Sequence, residues 1–181
     1  MREIRIHGRG GDGAVTFAHM LSLAAILDGK FGQSCQGMTP LRRGAPIEGY
    51  ARISEEEIVE RGIVASPDYA IVLNPTIITG VNVELGMKEN GLIFANSIHP
   101  LPFHHPAEYF DGTSLALKIV GSSFPNSVML GAFAAWSGLV SLEALEKAAP
   151  EIMGHKINPK IVEKNLEAIR AAYHQFKERS K

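Results

Sequence analysis

The chain has 181 residues, 45% hydrophobic and 20% charged, which suits one folded domain spanning 1–181 and excludes a disordered or fibrous polymer. A formal net charge of -1 excludes broad electrostatic capture of nucleic acid or of an anionic membrane surface. The single cysteine, Cys35, excludes an internal disulfide and the four-thiolate set of an iron–sulfur cluster, and it points to the cytoplasm.

The N-terminal residues lack the apolar core of a signal peptide, and the longest apolar run, Val128 to Val140, is short for a membrane span. Glu3 to His7 alternates charged and apolar residues and predicts a strand. A glycine turn, Gly8-Arg9-Gly10-Gly11-Asp12-Gly13, follows at once. Ala14 to Asp28 then reads as a helix closed by Gly29, and Phe31 to Gln36 as a second strand. Gly37 to Pro46 is a loop carrying Arg42-Arg43, and Ile47 to Ile53 alternates as a strand. That loop is too short for a helical crossover, so the strand it feeds is expected to run antiparallel to a neighbour.

Ser54 to Pro67 is an acidic connection. Tyr69 to Leu73 and Leu92 to Ala95 are short apolar runs of the buried-strand type. Between them, Thr76 to Leu85 reads as a helix weakened by β-branched residues. His99 to Pro106 is a proline-rich loop, and Leu115 to Val120 reads as the last strand. Asn126 to Gly138 predicts a buried helix, and Ser141 caps another running to Ala148. Asn158-Pro159 opens a long amphipathic helix whose apolar stripe is Val162, Leu166, Ile169, Tyr173 and Phe176. Strands and helices mix along the whole chain. The expected architecture is three-layer α/β/α, Rossmann-like, with a mixed but mostly parallel central sheet.

Gly8, Gly10 and Gly13 satisfy G-x-G-x-x-G between a strand and a helix, where free amides and the helix dipole favour an anion. An NAD site also needs a carboxylate at the end of the second strand, and Cys35-Gln36-Gly37 offers none. The Walker pattern is absent. Gly11-Asp12-Gly13 resembles the opening of a thiamine-diphosphate motif, but the required Asn is missing near Met38 to Arg42. The paired forks of Arg42 and Arg43 suit a phosphate. The competing reading is a close-packing glycine turn beside a solvated arginine loop, or one bridged to Glu55-Glu56-Glu57.

The run Gly8 to Thr16 resembles the N-terminal signature of the gamma subunits of pyruvate and related 2-oxoacid:ferredoxin oxidoreductases, the third domain of the single-chain pyruvate enzyme. Asp28-Gly29-Lys30, Arg42-Arg43-Gly44-Ala45-Pro46, Ala51-Arg52-Ile53-Ser54, Asn126 to Ala132 and Glu163 to Ala168 extend the likeness in order. Asp12 stands where the family usually has Gln, and Ser34 to Thr39 departs from the usual run. The Arg-Arg-Gly-Ala-Pro form is closer to the pyruvate and branched-chain members.

The resemblance implies a non-catalytic subunit working with alpha, beta and delta subunits, with ferredoxin as the electron acceptor. Thiamine diphosphate and Mg sit on alpha and beta, and [4Fe-4S] clusters sit on delta and in some members on beta. Coenzyme A takes the acyl group. Gly8, Arg9, Gly10, Gly11, Asp12, Gly13, Arg42 and Arg43 are then the coenzyme A phosphate-binding residues. The alternative is a stand-alone dinucleotide-binding or regulatory protein.

His99, His104 and His105 lack spaced partners for a metal, and read as loop residues. Cys35 reads as a small buried packing residue, with His7 the one candidate base for a reactive thiol. Trp136 reads as core or subunit interface. A subunit apart from its complex exposes its partner surface, so a homodimer of the isolated chain is expected.

Overall fold

The computed structural model describes residues 1–37, 43–154 and 157–179. Its six-stranded sheet has the order β2-β3-β1-β4-β5-β6. The strands are β1 (Arg2–Arg9), β2 (Phe31–Gln36), β3 (Pro46–Ser54), β4 (Tyr69–Val72), β5 (Leu92–Asn96) and β6 (Ala107–Phe110). β1, β4, β5 and β6 run parallel, and β3 lies antiparallel to both β1 and β2. The expected α/β class and mixed, mostly parallel sheet are therefore observed, including the antiparallel strand after the arginine loop.

The helices are α1 (Ala14–Leu27), α2 (Gly112–Ile119), α3 (Asn126–Ser137), α4 (Leu142–Met153) and α5 (Pro159–Arg179). All five share one apolar core with the sheet face formed by Ile4, Ile6, Ala51, Ile53, Ile71 and Phe94. Glycines let the layers close. A Cβ on Gly49 of β3 would sit 2.5 Å from the backbone oxygen of Ala14, and Gly131 of α3 lies directly against Ile169 of α5. Trp136 stacks on Phe94 with ring centroids 5.2 Å apart and completes this core. The predicted α5 stripe is what meets it, with Val162, Ile169 and Phe176 buried.

The opposite face of the sheet, where the three-layer expectation put helices, is instead covered among the described residues by a 3-10 turn at Pro75–Thr79 and by coil. Over β4 and β5 the contact is apolar, through Ala70, Val72, Ile77, Val83, Ile93 and Ala95. Over β1 and β3 it is polar. Arg5 Nε donates to His7 Nε2 at 3.2 Å, and Arg5 also donates to the carbonyls of Val83 and Leu85. His7 Nδ1 lies 3.4 Å from a Glu48 oxygen, and the Tyr50 hydroxyl donates to the other Glu48 oxygen. Burial, aided by the Arg5 charge, drives the His7 pKa down to about 3, so the ring is neutral. Arg5 can only donate, so the neutral ring accepts at Nε2 and carries its proton on Nδ1 toward Glu48.

Two sequence expectations are corrected. Leu115 to Val120 is not a strand; it lies in α2, which Asp111 caps by accepting from Ser114 N at 3.0 Å. The last strand is β6, which begins eight residues before that run. Thr76 to Leu85 is not a helix beyond the 3-10 turn, because Gly80 ends it and Asn82 takes the amide of Glu84 at 3.0 Å. α4 also runs past Ala148 to Met153 and carries Pro150.

Candidate functional site at the glycine turn

β1 is a central strand, and its C-terminal end delivers the chain into the turn at Gly10 to Gly13. Gly11 and Gly13 hold φ of 111° and 85°, which side chains with a Cβ adopt only with strain. Asp12 N donates to Arg9 O at 2.9 Å, and Asp12 Oδ2 accepts from Arg9 N at 2.8 Å. The carboxylate thus folds back on the strand end and stabilises the turn. Gly10 N donates to Ala45 O at 2.8 Å, and Gly44 N to Gly10 O at 3.0 Å. These bonds clasp the arginine loop to the turn.

Arg43 is exposed and has no hydrogen-bond or ion-pair partner among the described residues. Arg42 lies outside the described residues. Glu55, considered above as an arginine partner, pairs with Lys30 at 3.5 Å. Arg9 is a strut: Nε donates to Thr76 Oγ1 at 2.8 Å, and its terminal nitrogens to Gly44 O at 2.9 Å and Thr76 O at 3.1 Å. Its acceptors are all neutral, so its positive charge stays beside the turn.

α1 begins at the turn with Gly13 as N-cap and no side-chain cap. The amides of Ala14, Val15 and Thr16 have no partner among the described residues. α3 also begins without a side-chain cap, after Pro125. A Cβ on Gly13 would sit 2.6 Å from Asn126 Nδ2, so the starts of the two helices meet. Two positive dipole ends and several free amides converge there, which suits an anion.

Two cavities of about 230 Å³ flank the turn. One is lined by Arg9, Gly11, Gly13, Ala14, Val15, Thr16 and Ile47. The other is lined by Asp12, Asn74, Asn96, Thr113 and Phe124 with their neighbours, at the ends of β4 and β5. Asp12 lines the second, and its Oδ2 is held by Arg9 N. Asn96 is buried and fully engaged, donating to Leu73 O and Thr113 Oγ1 and accepting from Gly112 N.

The sequence indicated the turn and the arginine loop. It did not indicate the approach of Asn126, because Asn126 and Gly13 are far apart in the chain. The only local signal was the helix start itself.

The other residues weighed above lie apart. Cys35 is partly exposed, not buried, and its thiol donates to Gly62 O at 3.1 Å. Burial raises the thiol pKa, so it is not an activated nucleophile. His7, on β1, belongs to the Arg5–Glu48 network and makes no pair with Cys35. Glu84 accepts from the amides of His104 and His105, both at 2.8 Å, and from their rings at 3.1 and 2.9 Å. These residues border a separate cavity of about 610 Å³. No group of three or more His, Cys, Asp or Glu able to hold a metal occurs among the described residues. No helix among them is long and apolar enough to cross a membrane.

The fold and the turn define an α/β protein of the strand–glycine turn–helix type, with free helix amides at the ends of its parallel strands. Comparison with known proteins narrows this class. The family model for pyruvate ferredoxin/flavodoxin oxidoreductase matches residues 3–175, and the chain belongs to that family, among its gamma-type subunits. It is 42% identical over 178 residues to pyruvate synthase subunit PorC of Methanothermobacter marburgensis, covering 98% of each chain. It is 35% identical to the common gamma subunit of the pyruvate/ketoisovalerate oxidoreductases of Pyrococcus furiosus, covering 96% of each. The crystal structure of the pyruvate oxidoreductase subunit PorC of Thermotoga maritima superposes with a TM-score of 0.79 at 30% identity, covering 96% of this chain and 95% of that one.

Proposed function

We infer that this chain is the gamma subunit of a cytoplasmic complex that oxidatively decarboxylates a 2-oxoacid of the pyruvate or branched-chain type to its acyl-coenzyme A and reduces ferredoxin. Within that complex its glycine turn holds phosphate groups of coenzyme A. Thiamine diphosphate, Mg and the [4Fe-4S] clusters belong to the alpha, beta and delta partners. A single cysteine cannot by itself supply the four thiolates of such a cluster. The relatives' names, which specify pyruvate or pyruvate and ketoisovalerate, support the substrate class.

The observation that carries the coenzyme A reading is the meeting of two uncapped helix starts at a turn to which Gly44, the neighbour of Arg43, is hydrogen-bonded through Gly10. The amides of Ala14 to Thr16 supply donors fixed before the ligand arrives. Arg43, and Arg42 with it, supplies charge-assisted forks from the loop clasped to Gly10. Gly8, Gly10, Gly11 and Gly13 leave the backbone bare for close approach. Arg9 and Asp12 fix the turn rather than touch the ligand. The chain thereby orients the thiol end of coenzyme A toward chemistry that occurs on its partners.

The test is steady-state kinetics of the purified complex carrying Arg42→Ala/Arg43→Ala. Loss of charge-assisted bonds worth about 1.5–3 kcal/mol raises the KM for coenzyme A by about ten- to a hundredfold. The KM for the 2-oxoacid stays as it was. An unchanged coenzyme A KM would remove the phosphate-site reading. Comparing pyruvate with ketoisovalerate in the same assay names the substrate.

A further inference from the structure

The two edges of the sheet are treated differently. At β6, Arg179 of α5 donates to Tyr109 O at 2.8 Å and to Glu108 Oε1 at 2.8 Å, and Glu108 itself puts a charge in the edge strand. β2 is open. Gly37 N donates to Glu48 O at 2.9 Å, which fixes the alternation of the β2–β3 ladder. Phe31, Gln33 and Cys35 therefore turn their backbone groups toward β3, and Gly32, Ser34 and Gln36 turn theirs outward. Those outward N–H and C=O groups have no partner among the described residues. An unpaired row of this kind is a template for another strand, and proteins ordinarily blunt it with charge or proline. β2, Phe-Gly-Gln-Ser-Cys-Gln, has neither.

A second observation concerns α1, which lies over this edge. His19 Nδ1 is 2.8 Å from Ser34 Oγ, and Ile26 packs on Gly32. Its fourteen residues include no Asp, Glu, Lys or Arg, which is unusual for a helix with a solvent face. Ile26 is 50% exposed, Leu27 44%, and Phe31 at the start of β2 46%. An apolar flank thus borders the open row of backbone groups.

We propose that β2 is the seam of a two-fold homodimer, in which β2 of one copy pairs antiparallel with β2 of a second copy about an axis through Ser34. The occupant has to be an extended strand, because the unpaired groups are a backbone ladder. β2 itself fits in register: Gly32 faces Gln36 of the other copy, and Ser34 faces Ser34. No charged side chain lies in the strand, so the two-fold brings no like charges into opposition. On the coil that Gln33 contacts, the exposed charges Glu60 and Arg61 are one of each sign. α1 sits across β2 and β3, so ordinary strand spacing sets the two copies of α1 about 10 Å apart, the distance at which helices pack. One operation therefore satisfies the backbone row and covers Ile26. The two-fold interface is also the commonest way for identical chains to associate. This inference is independent of the coenzyme A reading.

The test is sedimentation equilibrium of the full chain with two variants at exposed positions. Wild type is expected at twice the 19.6 kDa chain mass. Ile26→Glu sets two carboxylates into the seam, and Gln36→Pro removes an outward N–H without touching the β3 ladder. Each weakens the dimer at least about tenfold, or ~1.4 kcal/mol, with unchanged circular dichroism. Hydrogen exchange at Gly32, Ser34 and Gln36 is slow in wild type and fast in Ile26→Glu. A wild-type chain that stays monomeric at its highest soluble concentration, or a dimer that survives both substitutions, overturns the proposal. So does protection of these amides that arises only in the assembled complex, since the edge would then belong to another subunit's strand.

Discussion

Replacing Gly13 with alanine tests how the glycine turn is built. At φ 85° a Cβ costs ~1–2 kcal/mol from its contact with the local backbone alone. The same atom would also sit 2.6 Å from Asn126 Nδ2, which must move. Gly11→Ala is the control, because Gly11 also has positive φ but nothing within 4 Å of its Cβ position. The expected loss is about 1–2 kcal/mol for Gly11→Ala and roughly 1 kcal/mol more for Gly13→Ala. For a chain of this length each kcal/mol lowers Tm by about 2–4 °C, so Gly13→Ala should melt about 4–12 °C below wild type. Asn126→Ala alone should cost little, since its side chain has no hydrogen-bond partner among the described residues. In the double variant, removing Asn126 Nδ2 and Cγ should relieve the two closest contacts and leave the backbone part and the Cβ contact at 3.1 Å, a coupling of up to about 1 kcal/mol. Thermal denaturation followed by circular dichroism reads all four proteins. Equal losses in Gly11→Ala and Gly13→Ala, with strict additivity in the cycle, would refute the contact between the two helix starts.

Two further predictions concern the opposite sheet face. Arg5→Met should destabilise the chain by about 2–4 kcal/mol, because it strands the carbonyls of Val83 and Leu85 and removes the donor to His7; chemical denaturation checks this, and a loss below ~1 kcal/mol would count against the network. Burial alone would raise the Glu84 pKa, but the amides and rings of His105 and His104 outweigh it and hold the carboxyl at about 2, against 4.5 for the free side chain. A pKa lowered on folding stabilises the protein above the unfolded value and is lost as pH falls from about 4.5 toward 2. The ceiling is ~3 kcal/mol, and the solvent-exposed ring of His104 reduces it to roughly 1–2 kcal/mol. Glu84→Gln should flatten the pH dependence of Tm across that window, and an unchanged profile would show that Glu84 does not carry it.

Much of this protein was determined by local sequence. Strict alternation placed β3, and Asn158-Pro159 with the Val162 to Phe176 stripe placed α5, because periodicity and capping are properties of neighbouring residues. The glycine turn was legible for the same reason: positive φ at Gly11 and Gly13 is a local demand. Short apolar runs were less informative. Leu115 to Val120 suits a strand or a buried helix equally, and the Asp111 cap with contacts to α3 and α5 decided for helix. Only the tertiary structure could bring Asn126 to Gly13 and leave β2 at the edge of the sheet. Each of these depends on which strand lies beside which, and strand order is set by burial over the whole sheet rather than by any residue's neighbours in sequence.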